Sequence, residues 1–210
     1  MKLDLVFSGI GGQGVVVLSD IFCEAALLDG FDVAKAEVHG MAQRGGSIVA
    51  YARIGEKVES PLIERGKADI ILGFEILETA RALPMLKADG TVVVNMKYIP
   101  PTCTFQESAA PKTTENLVDL IRRKARKVHE VDGIAIAEKL GNPLVVNTVL
   151  LGALSALPEN PINKEAFEKA IVSRLKEKYQ EINLKAFQLG RESVTLDNLI
   201  NNFKTTIENT

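Results

Sequence analysis

The sequence predicts a three-layer α/β/α fold with a mixed, mostly parallel sheet, a β-hairpin and additional C-terminal helices. Three observations lead to this prediction. A glycine-rich turn separates an apolar strand from a helix at residues 9–14, apolar strands alternate with helical patterns from residue 68 onward, and an antiparallel signal spans 48–61. With 210 residues, 46% of them hydrophobic, the chain can bury the core that such a fold needs.

Composition limits the classes of partner and metal site. A net charge of −2 and the lack of tryptophan give no reason to expect nucleic acid or an anionic membrane as partner. The two cysteines, Cys23 and Cys103, cannot supply the four thiolates of a typical iron–sulfur cluster, so no metal-binding residue is predicted. The N-terminus has no signal-peptide pattern and no apolar run reaches ~18 residues, so a cytoplasmic protein without membrane contact is expected.

The glycine-rich turn is the strongest local signal. The sequence GIGGQG at 9–14 lies between an apolar strand and an apolar helix at 15–28. Glycine adopts positive φ freely, and the unpaired N–H groups at a helix start favour an anion such as phosphate. The spacing also fits a dinucleotide fingerprint, with Glu37 as the ribose ligand, while a third interpretation gives these glycines only a packing role.

A second glycine-rich segment follows the second predicted strand, 31–38. Because segment 39–47 also begins at a strand C-terminus, we expect it at the same edge of the sheet as the first turn. Residues 48–54 alternate as a strand, and Gly55-Glu56 with 57–61 predicts a short returning strand. This hairpin makes the predicted sheet mixed.

The middle of the chain alternates strands and helices. In the helix over 75–86, Leu77, Ala80 and Leu83 share one face. The other predicted elements are a strand at 68–74, a turn at 88–90, a strand at 91–95, a loop at 99–113, a helix at 115–128, a short strand at 128–131 and a helix at 133–140.

The C-terminal part is predicted to be helical. The helix over 144–157 is apolar on nearly every face, so it is buried on several sides or packs on another chain, and Asn147 either bonds within the core or reaches a ligand. Asn163 is expected to cap a helix over 164–178, and the next helix, over 182–189, to end at Gly190. The predicted organisation is therefore one domain over 1–190 and a tail over 191–210 that can form a short helix.

Several segments together resemble one family. They are GIGGQG at 9–14, VHGMAQRGGS at 38–47, SPLI at 60–63, Ala68-Asp69, and Asn147 with Leu151-Gly152-Ala153. This combination resembles the gamma-type domain of the 2-oxoacid:ferredoxin oxidoreductases, including the pyruvate enzymes, over residues 1–190. Segment 39–46 is most similar to the beta subunits of indolepyruvate ferredoxin oxidoreductases.

The resemblance implies a subunit that is inactive alone. In such families the complex oxidatively decarboxylates a 2-oxoacid, here an arylpyruvate such as indolepyruvate, on thiamine diphosphate with Mg²⁺ and transfers the acyl group to coenzyme A. Electrons pass through 4Fe-4S clusters to ferredoxin. Thiamine diphosphate and the clusters would lie in the larger alpha subunit, so this chain would bind no cofactor alone and carry no catalytic residue.

The resemblance and the glycine turn together predict an edge that contacts coenzyme A or the partner subunit. Arg44 could form a bidentate pair with a phosphate or a carboxylate, while Gln13 and Ser47 add hydrogen bonds. His39 has no visible partner that would make it a proton donor. The predicted edge comprises Gly9, Gly11, Gly12, Gln13, Gly14, His39, Arg44, Gly45, Gly46, Ser47 and Asn147.

Three alternatives stay open at this point. The chain could be the gamma subunit of a pyruvate or 2-oxoglutarate ferredoxin oxidoreductase, a stand-alone NAD-binding Rossmann-like oxidoreductase, or a homodimeric scaffold joined through the helix over 144–157. The hairpin after the second strand favours an oxoacid oxidoreductase subunit, whereas a third β-α unit would favour NAD binding.

Overall fold

A computed structural model describes residues 2–40, 45–100 and 114–208, with side chains up to residue 195. Its six strands form one mixed sheet in the order β2-β3-β1-β4-β5-β6. Strand β3 is antiparallel to both of its neighbours, and β1, β4, β5 and β6 are mutually parallel, so the sheet is mixed, as predicted. The strands are β1 (Lys2–Ile10), β2 (Asp32–His39), β3 (Ser47–Gly55), β4 (Ala68–Gly73), β5 (Leu86–Asn95) and β6 (Lys127–Val131).

Helices cover both faces of the sheet and confirm the three-layer prediction. Helices α1, α4, α5, α6 and α7 pack on one face and α2 and α3 on the other, around two separate apolar cores. Within the described residues no helix has the length and apolar character that a membrane crossing requires. The helices are α1 (Val15–Leu28), α2 (Ile76–Ala82), α3 (Thr114–Lys124), α4 (Gly133–Lys139), α5 (Val146–Ser155), α6 (Lys164–Arg174) and α7 (Glu177–Glu208).

The apolar runs explain the central strands. In β1, Leu5 and Phe7 enter the core under α1, while Val6 enters the core under α2. A strand buried on both faces requires a continuous apolar run of this kind. In β3 the predicted alternation is confirmed, because Ala50 and Ala52 are fully buried against the α1 layer.

The predicted hairpin lies elsewhere. Residues 57–61 form no strand, and the antiparallel pair of consecutive strands is β2–β3, joined by the second glycine-rich segment. Side chains, rather than a strand ladder, hold the segment after β3: Asp32 accepts from the Val58 N–H at 2.8 Å, and Arg53 donates to the Ser60 carbonyl at 3.2 Å.

Two predictions in the middle of the chain are wrong in detail. Helix α2 ends at Ala82 and is followed by a 3₁₀ turn containing Pro84, and its buried face contains Ile76 and Thr79 rather than Leu77 and Ala80. The turn predicted at 88–90 lies inside β5, which begins at Leu86 and pairs with β4 across an irregularity between Ala68 and Ile70. Most of the loop predicted at 99–113 falls on residues 101–113, outside the described part.

The C-terminal helices also differ from the prediction. Helix α6 ends at Arg174, and Asn163 occupies its N-cap position without a capping side-chain bond, because its amide donates to Asp29 Oδ1 at 2.9 Å. Helix α7 does not end at Gly190. A Cβ at 190 would lie 1.9 Å from the Val149 carbonyl oxygen, so this glycine permits close contact between α7 and α5. The division of the chain into 1–190 and a tail stays a prediction.

Candidate functional site

The first glycine-rich turn connects β1 directly to α1. Gly12 and Gly14 have φ values of 101° and 80°, and Gly14 is the N-cap residue of α1. Gly9 fulfils a packing requirement, since a Cβ there would lie 2.8 Å from Phe74 Cβ. Both physical reasons for glycine, positive φ and close approach, therefore apply within this one turn.

The second glycine-rich segment lies beside the first, as predicted from the strand ends. The Gly11 N–H donates to the Gly46 carbonyl at 2.9 Å, and the Gly45 N–H donates to the Gly11 carbonyl at 3.4 Å. These two bonds form one continuous edge from the two segments. Arg44, the predicted anion ligand, falls on residues 41–44 and lies outside the described part.

Gln13 holds the turn in place. Its Oε1 accepts from the Ile10 N–H at 2.8 Å, and its Nε2 donates to the Phe74 carbonyl at 3.2 Å. Asn95 donates to the same carbonyl at 3.1 Å and accepts from the Gly133 N–H at 3.1 Å. These two amides connect the ends of four elements, β1, β4, β5 and α4, at the edge of the sheet.

Ser47 is engaged inside the chain. Its hydroxyl donates to Glu78 Oε2 at 2.6 Å, and the other oxygen of this buried carboxylate pairs with Arg81 at 2.5 Å. Sequence reasoning missed Glu78, because a glutamate in the first turn of a helix is an ordinary favourable residue there.

His39 and Glu37 lie on the terminal strand β2, which is two strands away from β1 and its glycine turn. The half-exposed His39 ring contacts Glu37 Oε2 at 2.9 Å, and a hydrogen bond from Lys35 holds the pKa of Glu37 below its usual value. Strand β3 separates β2 from β1, so Glu37 does not lie beside the glycine turn as a ribose ligand would. The interpretation of the glycine turn as a dinucleotide fingerprint with Glu37 as the ribose ligand is therefore wrong.

A cavity of about 520 Å³ opens at the carboxyl ends of the parallel strands, beside the glycine turn. One wall is polar and comprises Gly12, Gln13, Gly14, Asn95, Lys97 and Asn147. The other lining residues are mainly apolar, with Glu138 as the one acidic side chain among them: Phe74, Ile99, Ile134, Ala137, Glu138, Pro143, Leu144 and Val146. Sequence reasoning predicted the glycines, Gln13 and Asn147 for this edge but missed Lys97 and the apolar lining residues.

Two residues shape the polar wall. The Asn147 amide lies directly over Gly14, since its Nδ2 is 2.8 Å from where a Cβ would be, and the positive φ of Gly14 itself favours glycine. Lys97 follows β5, is exposed, and is the one cation among the described residues that line the cavity.

Glu75 holds a backbone segment that lines the cavity. It is fully buried, and its carboxylate accepts from the backbone N–H groups of Leu77, at 3.0 Å, and Ile99, at 3.3 Å. Burial raises the pKa of Glu75 above its usual value, although these backbone donors oppose the shift. The residue thus fixes the start of α2 against the segment that carries Ile99.

The described residues at this edge offer groups that can bind a ligand. Backbone N–H groups, the Asn147 amide and the Lys97 ammonium can hold an anion in a cavity that Glu138 also lines, and the apolar side chains can cover an extended apolar group. Among the described residues, no three histidine, cysteine, aspartate or glutamate side chains form a group that could hold a metal ion.

Comparison with known proteins identifies the family. The family model for pyruvate ferredoxin/flavodoxin oxidoreductase matches residues 4–193. The chain belongs to this family. Among its curated relatives, the indolepyruvate oxidoreductase subunit IorB of Archaeoglobus fulgidus is 38% identical, over 90% of this chain and 94% of the relative. The pyruvate/ketoisovalerate oxidoreductases common subunit gamma of Pyrococcus abyssi is 32% identical over 88% and 92%.

A solved structure supports the same assignment of fold. The gamma subunit of a keto/oxoacid ferredoxin oxidoreductase from Geobacter sulfurreducens superimposes with a TM-score of 0.69 at 27% identity, over 92% of this chain and 99% of that one. Family membership and strand order together support the oxoacid oxidoreductase subunit over the NAD-binding alternative.

Proposed function

We propose that this chain is the small subunit of an indolepyruvate ferredoxin oxidoreductase, which oxidatively decarboxylates an arylpyruvate to an acyl-CoA. The observation that carries the proposal is its near full-length similarity to IorB subunits, which exceeds its similarity to the pyruvate/ketoisovalerate gamma subunit.

The proposed division of labour follows from family membership. As the family resemblance implies, thiamine diphosphate, Mg²⁺ and the 4Fe-4S clusters are assigned to a larger alpha subunit, with ferredoxin as the electron acceptor. The described residues that line the cavity offer hydrogen-bond donors and apolar side chains, which suit binding. This chain supplies binding and positioning.

The cavity edge is proposed to bind coenzyme A. A phosphate of the coenzyme would meet the N–H groups of Gly12 and Gly14 and the Lys97 ammonium, where the α1 dipole adds positive potential, while the Gln13 N–H donates to the Ile10 carbonyl. The methyl and methylene groups of the long pantetheine arm would lie along Ile99 and Leu144. Arg44 is proposed to add a bidentate contact to a phosphate, or to a carboxylate of the partner subunit.

The exposed apolar side chains beside the cavity suit a partner subunit. Leu144 is 80% exposed and lines this cavity, and Val17, on the first turn of α1, is 47% exposed and lines a smaller neighbouring cavity together with Leu144. Apolar side chains of this size at the mouth of a binding site are typical of protein interfaces.

Copurification under anaerobic conditions tests the proposed function. When the tagged chain is used as bait in lysate of the native organism, it should recover a larger brown protein that contains thiamine diphosphate and iron. Replacement of both Val17 and Leu144 by serine should reduce this recovery. Leu62→Ser should not, because Leu62 is 69% exposed but lines neither of the two cavities. Recovery of the tagged chain without such a protein would contradict the subunit assignment.

A further inference from the structure

Strand β2 is the terminal strand of the sheet, and in the described part of the chain it pairs on one side only, with β3. At the end of this ladder the Gly40 N–H donates to the Ser47 carbonyl at 2.8 Å. Hydrogen bonding alternates along an antiparallel ladder, so the even-numbered residues of β2 bond to β3. Four residues therefore direct their main-chain groups outward: Val33, Lys35, Glu37 and His39.

The positive charge of Lys35 on this edge is balanced by two carboxylates. A lysine on an edge strand commonly discourages pairing with another strand. Here Lys35 Nζ lies 2.5 Å from Asp20 Oδ1 and 2.6 Å from Glu37 Oε1, and its side chain is only 16% exposed. The centre of the edge thus lacks the free cation that would repel an approaching strand.

The even-numbered side chains leave room for a neighbour. Ala34 and Ala36 are small and half-buried, and Val38 is 57% exposed. They lie on the face of the sheet opposite α1, next to Val49 and Tyr51 of β3. A strand added at β2 would therefore cover apolar surface on this face.

The charges on β2 select one pairing partner and one register. We propose that two copies of this chain pair through β2, antiparallel about a two-fold axis at Ala36, so that Lys35 of each copy lies opposite Glu37 of the other. The neighbouring registers with the same hydrogen-bonding alternation would place Lys35 opposite Lys35, or Glu37 opposite Glu37. Like charges directly opposite destabilise a strand pair, so the proposed register is favoured over both of these neighbours.

A second copy is the occupant that this pattern fits. A two-fold interface uses the same surface on both partners, and each favourable contact occurs twice. The lysine–glutamate pair meets this condition, since one strand carries both signs of charge two residues apart on one face. The two sheets would then continue through both copies.

Disulfide trapping tests the register in the full chain, with Cys103 replaced by serine. In the proposed pairing, Ala36 lies opposite Ala36 of the second copy at a non-hydrogen-bonded site, where the Cα atoms are ~4.5 Å apart and a disulfide can form. Ala36→Cys should therefore cross-link on mild oxidation. Ala34→Cys, which lies opposite Val38 of the second copy, should cross-link only when mixed with Val38→Cys. Cys23 is buried and does not compete.

Sedimentation of the same full chain tests the charges. The unmodified chain should be dimeric, and Glu37→Lys or Lys35→Glu alone should weaken the dimer by roughly tenfold or more, since each creates two like-charge pairs. An equimolar mixture of these two variants should recover the dimer, because both pairs then have opposite signs. Glu59→Lys makes the same charge change at an exposed loop residue and should leave the dimer intact.

Several results would overturn the proposal. These are a monomeric unmodified chain, equal cross-linking of Ala34→Cys and Ala36→Cys alone, or a mixture of charge variants that stays monomeric. If a strand of the larger subunit covers this edge instead, the isolated chain will be a monomer, and the β2 amides will gain hydrogen-exchange protection only in the complex.

Discussion

The hydroxyl of Ser47 donates a 2.6 Å hydrogen bond to Oε2 of Glu78, and this contact joins the second glycine-rich segment to helix α2. Glu78 is buried, so the serine is one of the few groups that can satisfy its carboxylate. The contact fixes the start of β3, on which the geometry of the glycine edge depends.

Replacement of Ser47 by alanine should lower the free energy of unfolding by about 1–3 kcal/mol, because a buried carboxylate loses one of its donors. Urea denaturation measures the effect. Ser60→Ala is the matched control, since its hydroxyl accepts from the exposed Leu62 N–H at 3.2 Å, and should cost about 0.5 kcal/mol or less. Equal costs for both variants would contradict this role.

Replacement of Gly190 by alanine should destabilise the chain even though alanine is the better helix former by about 1 kcal/mol. The new Cβ would lie 1.9 Å from the Val149 carbonyl oxygen, so α7 would have to move away from α5. We expect a loss of about 1–3 kcal/mol in denaturation. Glu192→Ala, at an exposed position of the same helix, should be near neutral, and a stabilised Gly190→Ala would refute the close contact.

Cys23 should be unreactive in the folded chain. Burial raises the pKa of its thiol to about 12, so almost no thiolate exists at pH 8. In a Cys103→Ser chain, Ellman's reagent at pH 8 should label Cys23 only after denaturation. Because the thiolate fraction rises as the pH approaches the pKa, labelling of the folded chain should accelerate toward high pH. Rapid labelling of the folded chain at pH 8 would contradict the burial of this residue.

Replacement of Lys97 by alanine should raise the KM for coenzyme A roughly tenfold in the assembled enzyme, while kcat changes little, because a charge-assisted phosphate contact is lost from binding alone. Lys139→Ala removes an exposed lysine of α4 that does not line the cavity and should leave KM unchanged. Equal KM values for the two variants, with assembly weakened only by Lys97→Ala, would assign the cavity edge to the partner subunit.

Local patterns in the sequence predicted most of the elements. The glycine turn, the apolar strands and the alternation in β3 each depend on neighbouring residues, and the structure confirms them. The antiparallel signal was assigned to the wrong pair because Asp32, 26 residues before Val58, holds the segment after β3 in place of a strand ladder. A contact between residues so far apart in the chain cannot be predicted from the spacing of residues in the sequence.

Distant contacts also explain the other errors. Glycine is typical of a helix end, but Gly190 lies where two helices touch. Only the position of Val149 distinguishes a helix end from a helix contact. Lys97 follows strand β5 and belongs to no recognisable motif. Its position in the cavity results from the order of strands in the sheet, which the local sequence does not reveal. The pairing of the two glycine-rich segments was predictable, because both follow strand C-termini at one edge.

Anaerobic reconstitution tests the central claim most directly. The purified chain is combined with the larger subunit, and the rate of indolepyruvate-dependent, coenzyme A-dependent reduction of methyl viologen is measured. The account predicts that neither subunit turns over alone and that the pair prefers indolepyruvate to pyruvate and 2-oxoglutarate. Full activity of the larger subunit alone, or a pair that uses pyruvate or 2-oxoglutarate in preference to indolepyruvate, would contradict it.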